Sequence, residues 1–133
     1  MTAPLAGKTI LMSGGSRGIG LAIALRAAAD GANIALLAKT DVPDPRLPGT
    51  IHTAAEEIRA AGGNALAIVG DVRNDDDITE AVMKTQGEFG GIDIVVNNAS
   101  VLSLAGSLDL DAKRYDLMQD VNVRGTFMLS RAA

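Results

Sequence analysis

Cysteine is absent from the 133-residue chain, and histidine occurs once, at His52. The lack of cysteine excludes disulfide bridges, thiolate metal sites and cysteine nucleophiles. A Ser-His-Asp triad would need His52, but the sequence lacks the glycine-flanked serine turn that presents the nucleophile in such hydrolases. We therefore expect neither a metal site nor a hydrolase triad in these residues.

Aromatic residues and excess positive charge are also scarce. The aromatic residues are Phe89, Tyr115 and Phe127, and the formal net charge is -4. Single-stranded nucleic acids bind on aromatic stacking platforms, and duplexes need cations opposite their phosphates. The composition therefore predicts that nucleic acid is not a partner.

Long apolar runs and a secretory signal pattern are missing too. The N-terminal stretch MTAPLAGKTILMSGG lacks the charged, apolar and cleavable regions of a signal peptide. No stretch reaches the roughly 20 apolar residues of a membrane span. Hydrophobic residues still make up 47% of the chain, which suits one domain with a buried core. The sequence predicts a cytoplasmic protein with no membrane partner.

Four short apolar runs alternate with helical patterns along the chain. None of the runs alternates strictly between apolar and polar residues, which is typical of strands buried on both faces of a parallel sheet. Alternation of strands and helices predicts right-handed crossovers and an α/β, doubly wound parallel sheet. The predicted strands are 9–13, 33–38, 65–69 and 92–96, and the predicted helices are 19–29, 51–61, one that begins after Asn74 and one from near Asp109 to Arg131.

The sequence predicts side-chain caps at the starts of two helices. Thr53 and Glu56 have the spacing of a capping box for the second helix. Asn74 is the predicted N-cap of the third helix, because Asn is strongly preferred at that position. Three aspartates follow Asn74 and suit the positive end of the helix dipole.

The stretch ILMSGGSRGIG (10–20) places Gly14, Gly18 and Gly20 between a predicted strand and a predicted helix. Glycine permits a tight turn and close backbone approach to a pyrophosphate, and the free N–H groups of the helix start point at the anion. Ser13 and Ser16 add hydroxyl donors. This strand–loop–helix context predicts a dinucleotide-binding loop rather than a simple glycine-rich turn.

Four motifs together resemble the short-chain dehydrogenase/reductase family, in the order that the family has them. Ser13 stands where Thr is commoner in the family, and Ser100 stands where the family has Gly. The segment 38–58 further resembles the hydroxysteroid dehydrogenase-like 2 branch of that family. The matched motifs are SGGSRGIG (13–20), GDV (70–72), NNAS (97–100) and VNVRGTF (121–127).

This resemblance implies a Rossmann-like doubly wound sheet that is incomplete in this chain. Only the first four strands are present, and their expected order is 3-2-1-4. Asn97, the first residue of NNAS, is expected to tie adjacent loops together rather than contact a cofactor.

The resemblance also implies roles for the matched residues. Asp71 would accept a hydrogen bond from the adenine amino group, and Val72 would flank the ring. Asn98 and Ala99 would lie along the ribose and nicotinamide. Asn122 would be the catalytic asparagine, which holds a water in a proton relay. The pyrophosphate and adenine ribose would be held by Ser13, Gly14, Ser16, Arg17, Gly18, Ile19 and Gly20.

The choice between NADP and NAD depends on the charge at the end of the second strand. An acidic residue there would bind the ribose hydroxyls of NAD, but this position is Ala38. Lys39 follows it, and Arg17 lies in the glycine loop, so two cations suit the 2′-phosphate of NADP. Asp41 keeps NAD as the alternative. The sequence therefore predicts NADP.

The Ser, Tyr and Lys that complete the family's chemistry have no match in this chain. In the family the lysine follows the tyrosine by four residues and lowers the phenol pKa. The single tyrosine here, Tyr115, is followed at that spacing by Gln119 and precedes Asn122. Tyr115 is therefore not the family's catalytic tyrosine.

We expect residues 1–133 to be the N-terminal, dinucleotide-binding part of a longer single-domain enzyme. The resemblance implies an NADP(H)-dependent oxidoreductase that transfers hydride to or from a carbonyl or a secondary alcohol. The chain alone is expected to be inactive, and the complete protein is expected to act on a small molecule and to form a homo-oligomer. The alternative is a non-catalytic NADP-binding module or sensor.

Overall fold

Four parallel strands form one sheet in a computed structural model that describes residues 3–39, 42 and 49–133. The strands are β1 (Thr9–Ser13), β2 (Asn33–Ala38), β3 (Asn64–Val69) and β4 (Ile94–Asn97), and the helices are α1 (Gly18–Ala29), α2 (Ile51–Ala60), α3 (Asp75–Phe89), α4 (Ala112–Met118) and α5 (Thr126–Ala132). Between α4 and α5 lies a π-helical stretch (Gln119–Gly125), called here the π segment. The order β3-β2-β1-β4 confirms the predicted 3-2-1-4 sheet.

The central strand β1 separates two hydrophobic cores. Successive side chains of a strand point to opposite faces of the sheet. Accordingly, Ile10 and Met12 pack with α1 and α2 on one face, whereas Leu11 packs with α3 and α5 on the other. The absence of strict alternation in the sequence follows from this burial of both faces.

The predicted capping box of α2 is wrong in its residues. Thr50, not Thr53, is the N-cap, because the fully buried Ile51 is already helical. The Thr50 hydroxyl accepts from the Thr53 N–H at 3.3 Å, and the Thr53 hydroxyl accepts from the Thr50 N–H at 2.8 Å. Thr53 therefore occupies the position that was predicted for Glu56.

The start of α3 agrees with the sequence prediction. The Asn74 side chain accepts from the Asp77 N–H at 3.0 Å and caps the helix. Gly90 ends the helix at a φ of 87°, the left-handed conformation that glycine adopts most readily.

The predicted fourth helix is present, but it is not α-helical throughout. It begins at Ala112 after the N-cap Asp111, and its regular turns are interrupted by the π segment before α5 begins. The strand β4 also starts two residues later than predicted. Asp93, which precedes β4, accepts through its carboxylate from the Thr9 N–H at 2.8 Å.

Across the described parts of the chain, no helix has the length and apolar character needed to cross a membrane. Asp41, on which the NAD alternative rests, lies outside the described residues, as does most of the proline-containing connection after β2.

Candidate functional site

A cleft of about 430 Å³ lies at the carboxyl ends of the strands. β1 lies between β2 and β4, so the chain continues to opposite sides of β1. This reversal of strand order is the topological switch point, where ligands bind in open α/β sheets. The cleft brings together most of the residues that the sequence assigned to a cofactor: Gly14, Ser16, Arg17, Ile19, Lys39, Asp71, Val72, Asn98 and Ala99.

Ser13, Gly18 and Gly20 are not among the residues that line the cleft. Ser13 is buried, and its hydroxyl accepts from the Ala99 N–H at 3.1 Å. Gly18 begins α1 at a φ of 60°. Gly20 lies in the first turn of α1, where a Cβ atom would come within 2.5 Å of Asn98 Nδ2.

The glycine loop and the NNAS motif are tied together across the sheet. Asn98 Nδ2 donates to the Gly14 carbonyl oxygen at 2.7 Å. Gly14 has a φ of 75°, and a Cβ atom there would lie 3.0 Å from Ala99 Cα. The two loops pack this closely because glycine has no side chain, and Gly14, Asn98 and Ala99 all line the cleft.

Among the described residues, no side chain caps the backbone N–H groups at the start of α1. Its N-cap residue is Arg17, whose side chain makes no capping hydrogen bond, and the first turn has no acidic residue. The other long helices, α2 and α3, are capped by Thr50 and Asn74. Uncapped N–H groups and the helix dipole together favour an anion at this end of α1.

Asp71 is an ionised acceptor on the β3 side of the cleft. Arg73 donates to its carboxylate from Nη2 at 2.7 Å and from Nε at 3.1 Å, and Lys39 Nζ lies 3.9 Å from Oδ2. The hydrogen bonds from the Arg73 side chain are the main reason that the pKa of Asp71 lies below its ordinary value, although partial burial acts in the opposite direction. The carboxylate is therefore charged at neutral pH.

Two cations lie near Ala38, the last residue of β2. Lys39 follows Ala38 and its side chain is 64% exposed. Arg17 extends from the glycine loop, and its Nη1 atom is buried with no hydrogen-bond partner within the described residues. A buried donor without an acceptor is unfavourable, so Arg17 suits an anion in the cleft.

Two asparagines are used in contacts between elements. The Asn122 amide donates from Nδ2 to the Val101 carbonyl oxygen at 2.8 Å and accepts at Oδ1 from the Val101 N–H at 2.9 Å. Asn97 Nδ2 donates to Ser130 Oγ at 2.9 Å and thereby ties β4 to α5 rather than to another loop. The structure thus shows the Asn122 side chain fixing the loop after β4, beside the cleft.

The arrangement of loop, helix and strand ends is reproduced in known proteins. A family described as short chain dehydrogenase matches residues 8–133. This chain belongs to the short chain dehydrogenase family. Hydroxysteroid dehydrogenase-like protein 2 of Bos taurus is 57% identical over 131 residues, which are 98% of this chain and 31% of that protein. The chain therefore spans about a third of the length of that curated relative.

Solved structures of short chain dehydrogenases share the fold. A crystal structure of a short chain dehydrogenase from Mycobacterium thermoresistibile is 59% identical, with a TM-score of 0.93 over 96% of this chain and 45% of that one. The NADH-dependent reductase A1-R', solved in complex with NAD, is 30% identical, with a TM-score of 0.84 over 100% of this chain and 53% of that one. The fold is therefore Rossmann-like.

Some cleft residues of this short chain dehydrogenase were not assigned by the sequence analysis. Their common feature is that they are apolar or small and carry no motif chemistry. Leu117 and Val121 are four residues apart and therefore lie on one helical face. This spacing is the sequence signal that indicates that they are neighbours. The unassigned lining residues are Leu37, Gly70, Val101, Leu117 and Val121.

The ion pairs of Asp71 should give this short chain dehydrogenase a specific acid sensitivity. Because the folded-state pKa of Asp71 is lowered, its ionised form stabilises the fold above the ordinary carboxyl pKa, and this contribution is lost as pH falls through the lowered value. We expect the free energy of unfolding to fall as pH drops below the ordinary carboxyl pKa of about 4, and to fall less in Asp71→Asn. Urea unfolding at several pH values measures this, and equal losses in both proteins would contradict it.

Proposed function

We propose that this short chain dehydrogenase is an NADP(H)-dependent oxidoreductase in its complete form. The observation that carries the proposal is the uncapped start of α1 beside the glycine loop, together with the buried Nη1 atom of Arg17, which has no acceptor among the described residues. Backbone N–H groups at this helix start would bind the pyrophosphate, as in other dinucleotide sites. A bound nicotinamide would supply hydride to a carbonyl or accept it from a secondary alcohol.

NADP rather than NAD is the proposed cofactor because of the charges around Ala38. Lys39 is exposed, and Arg17 Nη1 has no acceptor within the part of the chain that the structure describes, so we propose that both bind a 2′-phosphate on the adenine ribose. Asp71 would accept from the adenine amino group, and the buried Val72 would flank the ring. Ala38 offers no carboxylate to the ribose hydroxyls that distinguish NAD.

We also propose that the chain is the N-terminal part of a longer single-domain enzyme. The support is its coverage of 31% of the curated relative and 45% of the solved Mycobacterium chain. The catalytic Ser, Tyr and Lys would then lie outside residues 1–133, and Asn122 would contribute to the proton relay. We propose a small carbonyl or alcohol as substrate, a homo-oligomer as the assembly and the cytoplasm as the location.

Fluorescence titration of NADPH and NADH into residues 1–133 and into the complete gene product tests the proposal. We expect saturable binding with the tighter Kd for NADPH, and turnover of some member of a panel of carbonyls by the complete protein only. Absence of dinucleotide binding in the complete protein would refute the proposal. Binding without turnover of any carbonyl in the panel would favour the non-catalytic module. The observation that supports this alternative is Ser100 in the cleft wall.

A further inference from the structure

The π segment carries three contacts that shape the wall of the dinucleotide cleft. Val121 is buried and lines the cleft directly. Asn122 holds both backbone groups of Val101, which is another lining residue. At Gly125 a Cβ atom would lie 3.0 Å from Val72, so the segment also packs closely against the adenine side of the cleft. The position of the π segment therefore fixes three parts of one wall.

The π segment also forms an ion pair with the start of α3. Arg124 donates to the two carboxylate oxygens of Asp75, from Nη1 to Oδ1 at 2.7 Å and from Nη2 to Oδ2 at 3.0 Å. Such a two-point pair between guanidinium and carboxylate fixes orientation as well as distance. The two residues are 49 positions apart in sequence, so this contact is tertiary.

Asp75 lies in a helix turn that is itself attached to the cleft. It is the first residue of α3, and the Asp77 carboxylate in the same turn accepts from the Asp71 N–H at 2.9 Å. The first turn of α3 thus joins the π segment, through Asp75, to the loop that carries Asp71 and Val72. π-helical turns are rare and occur mostly as short interruptions of α-helices. We therefore expect tertiary contacts to stabilise the position of the π segment.

We propose that Arg124 is a positioning residue for dinucleotide binding. Its pair with Asp75 holds the π segment against the cleft, and thereby holds Val101, Val121 and Val72 where the adenine half of the dinucleotide would lie. Neither Arg124 nor Asp75 is among the residues that line the cleft. The inference rests on the proposed dinucleotide-binding function.

The test compares NADPH binding by the complete protein and by its Arg124→Met variant. We expect the variant to raise the Kd of NADPH roughly fivefold, the upper range for an exposed ion pair with good geometry. Arg124→Lys keeps the charge but loses the two-point geometry, so its Kd should lie between the two. Asp75→Asn should match Arg124→Met, and the double variant should be no weaker, because both changes break the same contact.

A matched control is available on α3. Lys84 and Glu80 form an exposed ion pair at 2.8 Å that makes no contact with the π segment. Lys84→Met should leave the Kd of NADPH unchanged, although it lowers the melting temperature about as much as Arg124→Met does. A purely structural role of Arg124 would affect the melting temperature alone.

The outcomes separate this inference from the proposed function. If the unaltered protein does not bind NADPH, the proposed function fails and this inference fails with it. If the unaltered protein binds NADPH and both Arg124→Met and Asp75→Asn bind equally well, only this inference is overturned. An equal loss of affinity in Lys84→Met would also overturn it, since the effect would then be general. If Arg124→Met does not fold, Asp75→Asn carries the same test.

Discussion

Alanine in place of Gly20 should weaken dinucleotide binding by about 10- to 100-fold. The added Cβ atom would lie 2.5 Å from Asn98 Nδ2 and 2.9 Å from the Gly14 carbonyl oxygen. These are the two partners of the hydrogen bond that ties the glycine loop to the NNAS motif. The substitution should therefore push the loops apart and move the N–H groups at the start of α1. Titration of NADPH into the variant measures the change in Kd.

Gly87→Ala is the matched control for this substitution. Gly87 is also helical, within α3, but no atom lies within 4 Å of an added Cβ there. Alanine should stabilise that exposed helix by about 0.5–1 kcal/mol and leave the Kd unchanged. If Gly20→Ala bound NADPH as tightly as Gly87→Ala does, the glycine loop would not be the dinucleotide site.

Removal of both cations beside Ala38 should abolish the preference for NADPH over NADH. In Arg17→Ala/Lys39→Ala, the Kd of NADPH should rise by about 100-fold or more, because charge-assisted hydrogen bonds contribute roughly 1.5–3 kcal/mol each. The Kd of NADH should rise less, since NADH has no 2′-phosphate and loses only the contacts of Arg17 with the pyrophosphate and ribose. Parallel titrations of both dinucleotides give the ratio directly.

The control for the charge change is Lys84→Ala, because Lys84 is an exposed lysine on α3 that is paired with Glu80. It removes a positive charge without touching the cleft, so the ratio of the two Kd values should stay as in the unaltered protein. A ratio that is unchanged in the Arg17/Lys39 variant would remove the argument for NADP and favour NAD.

The glycine loop could be predicted from the sequence because its determinants are local. Gly14, Gly18 and Gly20 lie within one strand–loop–helix unit, and their spacing is visible without any long-range contact. The buried runs of β1 and β2 are likewise recognisable, since burial on both faces requires continuous apolar residues. The 3-2-1-4 order came from resemblance to a family, and the strand pairing confirms it.

Local spacing did not predict the interruption between α4 and α5. The apolar pattern from Asp109 to Arg131 is compatible with one continuous α-helix. Nothing in this pattern indicates the extra residue per turn of the π segment. The capping box of α2 was misplaced for a similar reason. Its position depends on where the buried Ile51 begins the helix, and that is set by packing against the sheet.

What the sequence by itself determined is the chemistry available at the strand ends: glycines for close approach, two cations near Ala38 and the carboxylate of Asp71. What only the tertiary structure decided is which of these groups already have partners. Asp71 is paired with Arg73, the Asn122 amide is used by Val101, and Arg17 Nη1 has no hydrogen-bond partner among the described residues. The sequence gives the type of each residue. The partners of that residue depend on contacts between distant segments, because these contacts form only when the sheet brings the loops together.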